Sequence, residues 1–122
     1  MTMETMRPSV LIVDDNARFR ASASEMLEVE GFDVVGSVAD GVSAVEAVAA
    51  LSPDVVLLDI QLPGMDGLVV AERLAGVPDA PIVVLTSSHD AAAYGDRLAR
   101  SAARGFIPKG ALSGETLAQL VA

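Results

Sequence analysis

The chain has 122 residues, enough for one domain with a buried core, and its 52% hydrophobic and 20% charged residues make the composition of a globular protein. A net charge of −9, from 17 acidic residues against 8 scattered basic ones, argues against direct binding to nucleic acid, where affinity rests largely on neutralising phosphates. Cysteine is absent, which removes disulfides and thiolate metal sites. No apolar run approaches the roughly 18 residues of a membrane span, and Met1–Ser9 has no apolar signal core, so the expectation is a cytoplasmic protein.

In chain order, residues 1–8 read as an N-terminal extension and residues 9–122 as one domain. The apolar run Ser9–Val13 predicts a first strand. Asn16–Glu30 predicts a helix, with Phe19, Ala23, Met26 and Leu27 on one stripe, Asp15 or Asn16 as the N-cap and Gly31 after the last turn. A second strand follows at Asp33–Val38. The helix Gly41–Leu51 carries Val42, Val45 and Val48 or Ala49 at helical spacing and stops before Pro53. A third strand at Asp54–Leu58 leads through the Pro63-Gly64 turn to a helix at Asp66–Leu74 capped by Asp66. A fourth strand at Pro81–Leu85 precedes one helix over Asp90–Ala103, with Tyr94, Leu98 and Ala102 four residues apart. Gly105–Ile107 is the fifth strand and Ser113–Ala122 the fifth helix, with Ser113 and Thr116 in its first turn. Three of the strands are nearly continuous in Val, Ile and Leu, which suits a parallel sheet buried on both faces. The predicted fold is α/β, a doubly wound (βα)5 domain of the flavodoxin-like kind with a five-stranded parallel sheet.

Ligands of open parallel sheets sit beyond the carboxyl ends of the strands. There the sequence places Asp14-Asp15, Asp59, Thr86-Ser87 and Lys109, the last being the only lysine beside seven arginines. Any one of these aspartates can be a helix cap or a solvated loop residue. Three carboxylates crowded in one cleft repel one another and need a cation. With no cysteine and one histidine in the chain, the ligand set is all oxygen, which selects a hard ion such as Mg²⁺. A carboxylate beside such an ion can attack phosphorus, and the Lys109 ammonium and Thr86 hydroxyl would meet the charge of the transferring group. The single histidine, His89, reads as a solvated loop residue.

Asp14-Asp15, the run Pro53-Asp54-Val55-Val56-Leu57-Leu58-Asp59, the turn Leu62-Pro63-Gly64-Met65-Asp66-Gly67, Leu85-Thr86-Ser87 and Gly105-Phe106-Ile107-Pro108-Lys109 together resemble response-regulator receiver domains, in register from about Ser9 to Ala122. The resemblance implies that Asp59 accepts a phosphoryl group from the phosphohistidine of a sensor kinase. It implies further that Asp14, Asp15, Asp59 and the backbone carbonyl of Gln61 hold Mg²⁺. Thr86 would be the switch hydroxyl that moves toward the phosphate, Lys109 would form an ion pair with the phosphate, and Phe106 would be either the switch aromatic or a plain core residue. Gly110 stands where many receivers have a proline after the lysine, a pattern that resembles the branch with a helix-turn-helix DNA-binding output. Gln61 and Ser88 occupy the positions that in the family tune phosphoryl lifetime. The expected chemistry is that of a switch acting only on its own phosphorylation, with dimerisation on phosphorylation implied by the family. The alternatives are a stand-alone receiver, a phosphate-independent interaction module and, least supported because Gln61 replaces a second Asp and no cap insertion is present, a Mg²⁺-dependent phosphohydrolase. The final apolar run Leu117–Ala122 predicts a cut before a linker, hence the receiver part of a longer regulator.

Overall fold

A computed structural model describes residues Arg7–Ala122; the expected extension over residues 1–8 lies mostly outside the described residues. Its last two members join the domain. Pro8 accepts a hydrogen bond from the Asp33 amide at 2.9 Å, and the Arg7 guanidinium donates to the carbonyls of Glu28 and Phe32.

Five parallel strands build the sheet: β1 (Ser9–Val13), β2 (Asp33–Val38), β3 (Val55–Asp59), β6 (Ile82–Ser87) and β7 (Gly105–Pro108), in the spatial order β2-β1-β3-β6-β7. A short antiparallel pair, β4 (Gln61–Leu62) and β5 (Met65–Asp66), follows β3 and pairs Gln61 with Asp66. The sequence alone predicts a plain turn here. Helices α1 (Ala17–Val29) and α5 (Gly114–Val121) cover one face of the sheet. Helices α2 (Gly41–Leu51) and α3 (Gly67–Ala75), with the short α4 (Arg97–Arg100), cover the other. Alternate residues of each central strand serve the two layers: Val10 and Ile12 pack toward α1 and α5, Leu11 and Val13 toward α2 and α3. This double coverage explains why β3 is buried at every position and why its sequence is continuous rather than alternating.

The predicted fold class is the one observed, with local differences. The cap of α1 is Asn16, whose side chain accepts from the Phe19 amide at 3.0 Å, which leaves Asp15 free for the site. Gly31 closes that helix with φ +104, a value that favours glycine. On α2 the buried stripe runs through Gly41, Ala44 and Val48, while Val42 is 60% exposed and Ala49 lies at the surface. Small residues face inward there because α2 and α3 pack closely: a Cβ on Gly41 would lie 2.8 Å from Val70. Strands β6 and β7 run past their expected ends, so Thr86, Ser87 and Pro108 belong to the sheet.

The clearest departure is the fourth helical segment. Asp90–Ala103 is not one helix but a 3-10 turn at Ala91–Tyr94, a break at Gly95 with φ +58, and the four-residue α4. Tyr94 and Leu98 still pack on the core as the spacing implied, and Ala102 is exposed.

Candidate functional site

The order of the strands places the site. From β1 the chain passes to β2 on one side and to β3 on the other, which opens a crevice at the carboxyl ends of β1 and β3. Asp14 follows β1, Asp59 is the last residue of β3, and Thr86 lies opposite Asp59 on β6. Lys109 follows β7 and opens a 3-10 turn over Lys109–Ala111.

These residues meet. One carboxylate oxygen each from Asp14, Asp15 and Asp59 lies within 4.8 Å of the others. Asp14 is wholly buried, Asp59 is 3% exposed and Asp15 sits at the rim. The Lys109 ammonium approaches Asp14 Oδ2 to 2.7 Å and Asp59 Oδ2 to 3.3 Å, and lies over the Phe19 ring at 4.6 Å. Backbone amides fix the remaining oxygens: Asn16 donates to Asp14 Oδ1 at 2.9 Å and Gln61 to Asp59 Oδ1 at 3.1 Å.

The electrostatics follow from this arrangement. Burial pushes the Asp59 carboxyl above its usual range, and the Asp14 charge adds to the push. The Gln61 amide and Lys109 oppose it without cancelling it. Burial by itself would lower the Lys109 value, but the adjacent Asp14 and Asp59 carboxylates hold it above the ordinary lysine range. Lys109 therefore remains an ammonium at neutral pH.

The donor set fits a hard dication. Three carboxylates face one ammonium, so two negative charges remain uncompensated in a largely buried cleft. Asp14 Oδ2 contacts Lys109 only as an ion pair, off the axis of a hydrogen bond. Among the described residues it is the buried side-chain oxygen with no hydrogen-bond partner. An oxygen of that kind is a natural ligand for Mg²⁺.

Other expected residues are placed as follows. Gln61 stands next to the cluster through its amide. Its side-chain nitrogen lies 3.3 Å from His89 Nε2, so the exposed His89, expected as a solvated loop residue, has a partner across the mouth of the site. Phe106 is half-buried against the α2–α3 core layer. Three participants escaped the sequence reading of the site: Tyr94, Gly67 and Phe19. Ser87 is fully buried and bonds Tyr94, a residue read only as part of a helical stripe. Gly67 lies so close to the chain after Asp59 that an added Cβ would fall 2.3 Å from the Asp59 carbonyl. Phe19 was read as core alone. The register between distant elements decides all three, and only Gly67, in its Pro63-Gly64-Met65-Asp66-Gly67 context, left a local signal.

A doubly wound parallel sheet in this strand order, with an acidic cluster and one lysine at its carboxyl edge, is the arrangement of a receiver-type α/β domain. Residues 10–122 match the response regulator receiver domain, and the chain belongs to that family, a module of two-component signal transduction. In structure it is similar to the signal receiver domain of NarL from Mycobacterium tuberculosis, with a TM-score of 0.85, 31% identity, and coverage of 94% of this chain and 96% of that one. In sequence it is similar to the DNA-binding response regulator MtrA of Mycobacterium tuberculosis, 44% identical over 88 residues, which is 72% of this chain and 38% of MtrA. It is also similar to protein-glutamate methylesterase/protein-glutamine glutaminase 5 of Myxococcus xanthus, 50% identical over 80 residues, 65% of this chain and 23% of that protein. The match thus spans well under half the length of these relatives. Among the described residues no helix is long and apolar enough to cross a membrane.

Proposed function

We propose that the chain is a Mg²⁺-dependent phosphorylation switch whose acceptor is Asp59, with a sensor histidine kinase as donor. The observation that carries this is the buried Asp59 carboxylate, faced by Lys109 at 3.3 Å and ringed by the carboxylates of Asp14 and Asp15.

In the proposed step a carboxylate oxygen of Asp59 attacks phosphorus and the phosphorus–nitrogen bond of the donor phosphohistidine breaks. Its electron pair stays on the imidazole, which takes up a proton, and an aspartyl phosphate remains. The Gln61 amide on Oδ1 holds the carboxylate in its rotamer before attack. Lys109 meets the equatorial oxygens of the transferring group, released from part of its pairing with Asp59 as that carboxylate becomes an acyl phosphate. Asp14, Asp15, Asp59 and the Gln61 carbonyl would hold Mg²⁺. When bound, the ion neutralises carboxylate and phosphoryl charge together. Thr86, opposite Asp59 on the neighbouring strand, then moves toward the phosphoryl oxygens, and Phe106 follows into the space it leaves.

The phosphorylated surface passes the signal to an output. The partial coverage of the relatives supports a receiver that is part of a longer cytoplasmic regulator. The DNA-binding name of MtrA favours a transcriptional output. Phosphorylation-dependent pairing of two copies belongs to the same reading; sedimentation with and without a phosphoryl mimic would reveal it, and an unchanged monomer would count against it.

Intact mass after incubation with acetyl phosphate or phosphoramidate tests the central claim. Wild type should gain one phosphoryl group with Mg²⁺, none with excess chelator, and Asp59→Asn none under either condition. No gain in wild type with either donor would shift the reading to a phosphate-independent interaction module on the same fold.

A further inference from the structure

The segment that the sequence predicts as one helix, Asp90–Ala103, is interrupted beside the site, and named contacts hold the interruption in place. The Tyr94 hydroxyl lies 2.5 Å from the hydroxyl of Ser87, which is fully buried and next to Thr86 at the end of β6. The Ser87 oxygen also accepts from the His89 amide at 3.0 Å, which ties down the start of the segment. The Tyr94 ring packs on Phe106, centroids 6.3 Å apart and planes at 59°. Beyond the break, Arg97 pairs with Asp66 at 2.5 Å.

Local preference pulls the other way. Ala91, Ala92 and Ala93 are the strongest helix formers available. Asp90 and Asp96 begin the two short pieces without making side-chain caps. The pieces are separated by Gly95 and Asp96, and Gly95 sits at φ +58 and ψ −137, a region that other residues rarely enter. Nothing lies within 4 Å of where a Cβ on Gly95 would sit, so the constraint there is conformational and not steric. The interrupted form persists because Tyr94 is anchored to the strand end that carries Thr86.

We propose that Tyr94 is a positioning residue of the switch: through Ser87 and Phe106 it holds the interrupted form of Asp90–Ala103, and its release lets the segment close toward one continuous helix. The coupling rests on the reading of Asp59 as acceptor and Thr86 as the group that moves, because a shift of Thr86 displaces Ser87 in the same strand. The anchored form is the less competent one for phosphorylation. Weakening the anchor therefore raises the competent fraction and with it the apparent rate.

Two variants weaken the interrupted form, one at its anchor and one at the break itself. Tyr94→Phe removes only the hydroxyl, and Gly95→Ala penalises the positive φ without a clash. Loss of a hydrogen bond worth about 1 kcal/mol net corresponds to a roughly five-fold shift in population. An alanine held in that backbone region, at a cost of about 1–3 kcal/mol, adds roughly ten-fold. The experiment measures phosphoryl incorporation from phosphoramidate with Mg²⁺ by intact mass, and helix content by far-UV circular dichroism without any donor. Tyr94→Phe is expected to incorporate about five-fold faster than wild type at an unchanged Mg²⁺ midpoint. The unphosphorylated double variant is expected to gain helix, from the four residues of α4 toward the fourteen of Asp90–Ala103. A wild-type rate in Tyr94→Phe together with a wild-type spectrum in the double variant overturns the proposal. Absence of incorporation in wild type would instead refute the acceptor reading, and the circular dichroism of the double variant would still decide the anchor.

Discussion

At the scale of single residues, the site is a balance between burial and charge. Asp59 is nearly fully buried beside the Asp14 carboxylate, and its pKa is raised by that burial. The folded protein therefore binds the Asp59 proton more tightly than the unfolded chain does. The ionised carboxylate costs stability at every pH above its folded pKa, and the cost fades as pH falls through that value toward the ordinary 3.8. Asp59→Asn should accordingly raise the unfolding free energy on the order of 1 kcal/mol at pH 7 without Mg²⁺. In urea titrations at successively lower pH the gain should shrink toward zero, and a gain that grows in acid would reverse the assignment of cause. Lys109 acts with the opposite sign. Its value is raised above 10.5 by its acidic partners, so its stabilisation is present below 10.5 and is lost only as pH climbs through the folded value. Across the neutral range the ammonium keeps Asp14 and Asp59 tolerable neighbours.

At the scale of elements, the close approach of α3 to the end of β3 positions Asp59, the proposed acceptor. Gly67 begins that helix and donates its amide to the Ile60 carbonyl at 2.7 Å, with no room for a side chain against Asp59 and Ile60. Gly67→Ala should push the start of α3 away from the strand end, with a loss of about 2–3 kcal/mol seen in urea unfolding. It should also lower phosphoryl incorporation in the fraction that stays folded. The neighbouring Asp66 serves twice, capping α3 through the Leu68 amide at 2.8 Å and pairing with Arg97. Several element boundaries were legible in sequence because caps are local chemistry: Asp66, Asn16 and the Ser113–Thr116 capping box act within three residues of themselves. The division of Asp90–Ala103 was not legible. Its alanines and its Tyr94–Leu98 spacing are helical, and the contacts that override them come from Ser87, Phe106 and Asp66 on other elements.

At the scale of the whole molecule, the sheet ties the site to global stability. β1 and β3 are the buried centre of the sheet, and the residues that leave them, Asp14 and Asp59, carry the uncompensated charge. An ion that binds the folded site and not the unfolded chain stabilises the entire domain by mass action, by about 2.7 kcal/mol at one hundred times its dissociation constant. Thermal unfolding should therefore move upward with Mg²⁺ and return on adding chelator. In Asp14→Asn the shift should be largely lost, because the orphaned Oδ2 that invites the ion becomes part of a neutral amide. An equal Mg²⁺ response in that variant would remove Asp14 from the ligand set.

The sequence by itself determined the fold class, the strand-end positions of Asp14, Asp15, Asp59, Thr86 and Lys109, and the oxygen-only character of the site. These follow from apolar periodicity, from turn chemistry and from which residue types are present at all. Only the tertiary structure decided which of those residues are buried, that Asp14 and not Asp15 is the wholly enclosed carboxylate, and that Lys109 reaches both Asp14 and Asp59. It likewise decided that Tyr94 lies in a short 3-10 turn bonded to Ser87 rather than in a continuous helix. The physical reason is range. Propensity, capping and periodicity act over a few residues along the chain, whereas the Lys109–Asp59 ion pair closes over 50 residues and exists only once five strands have taken their order.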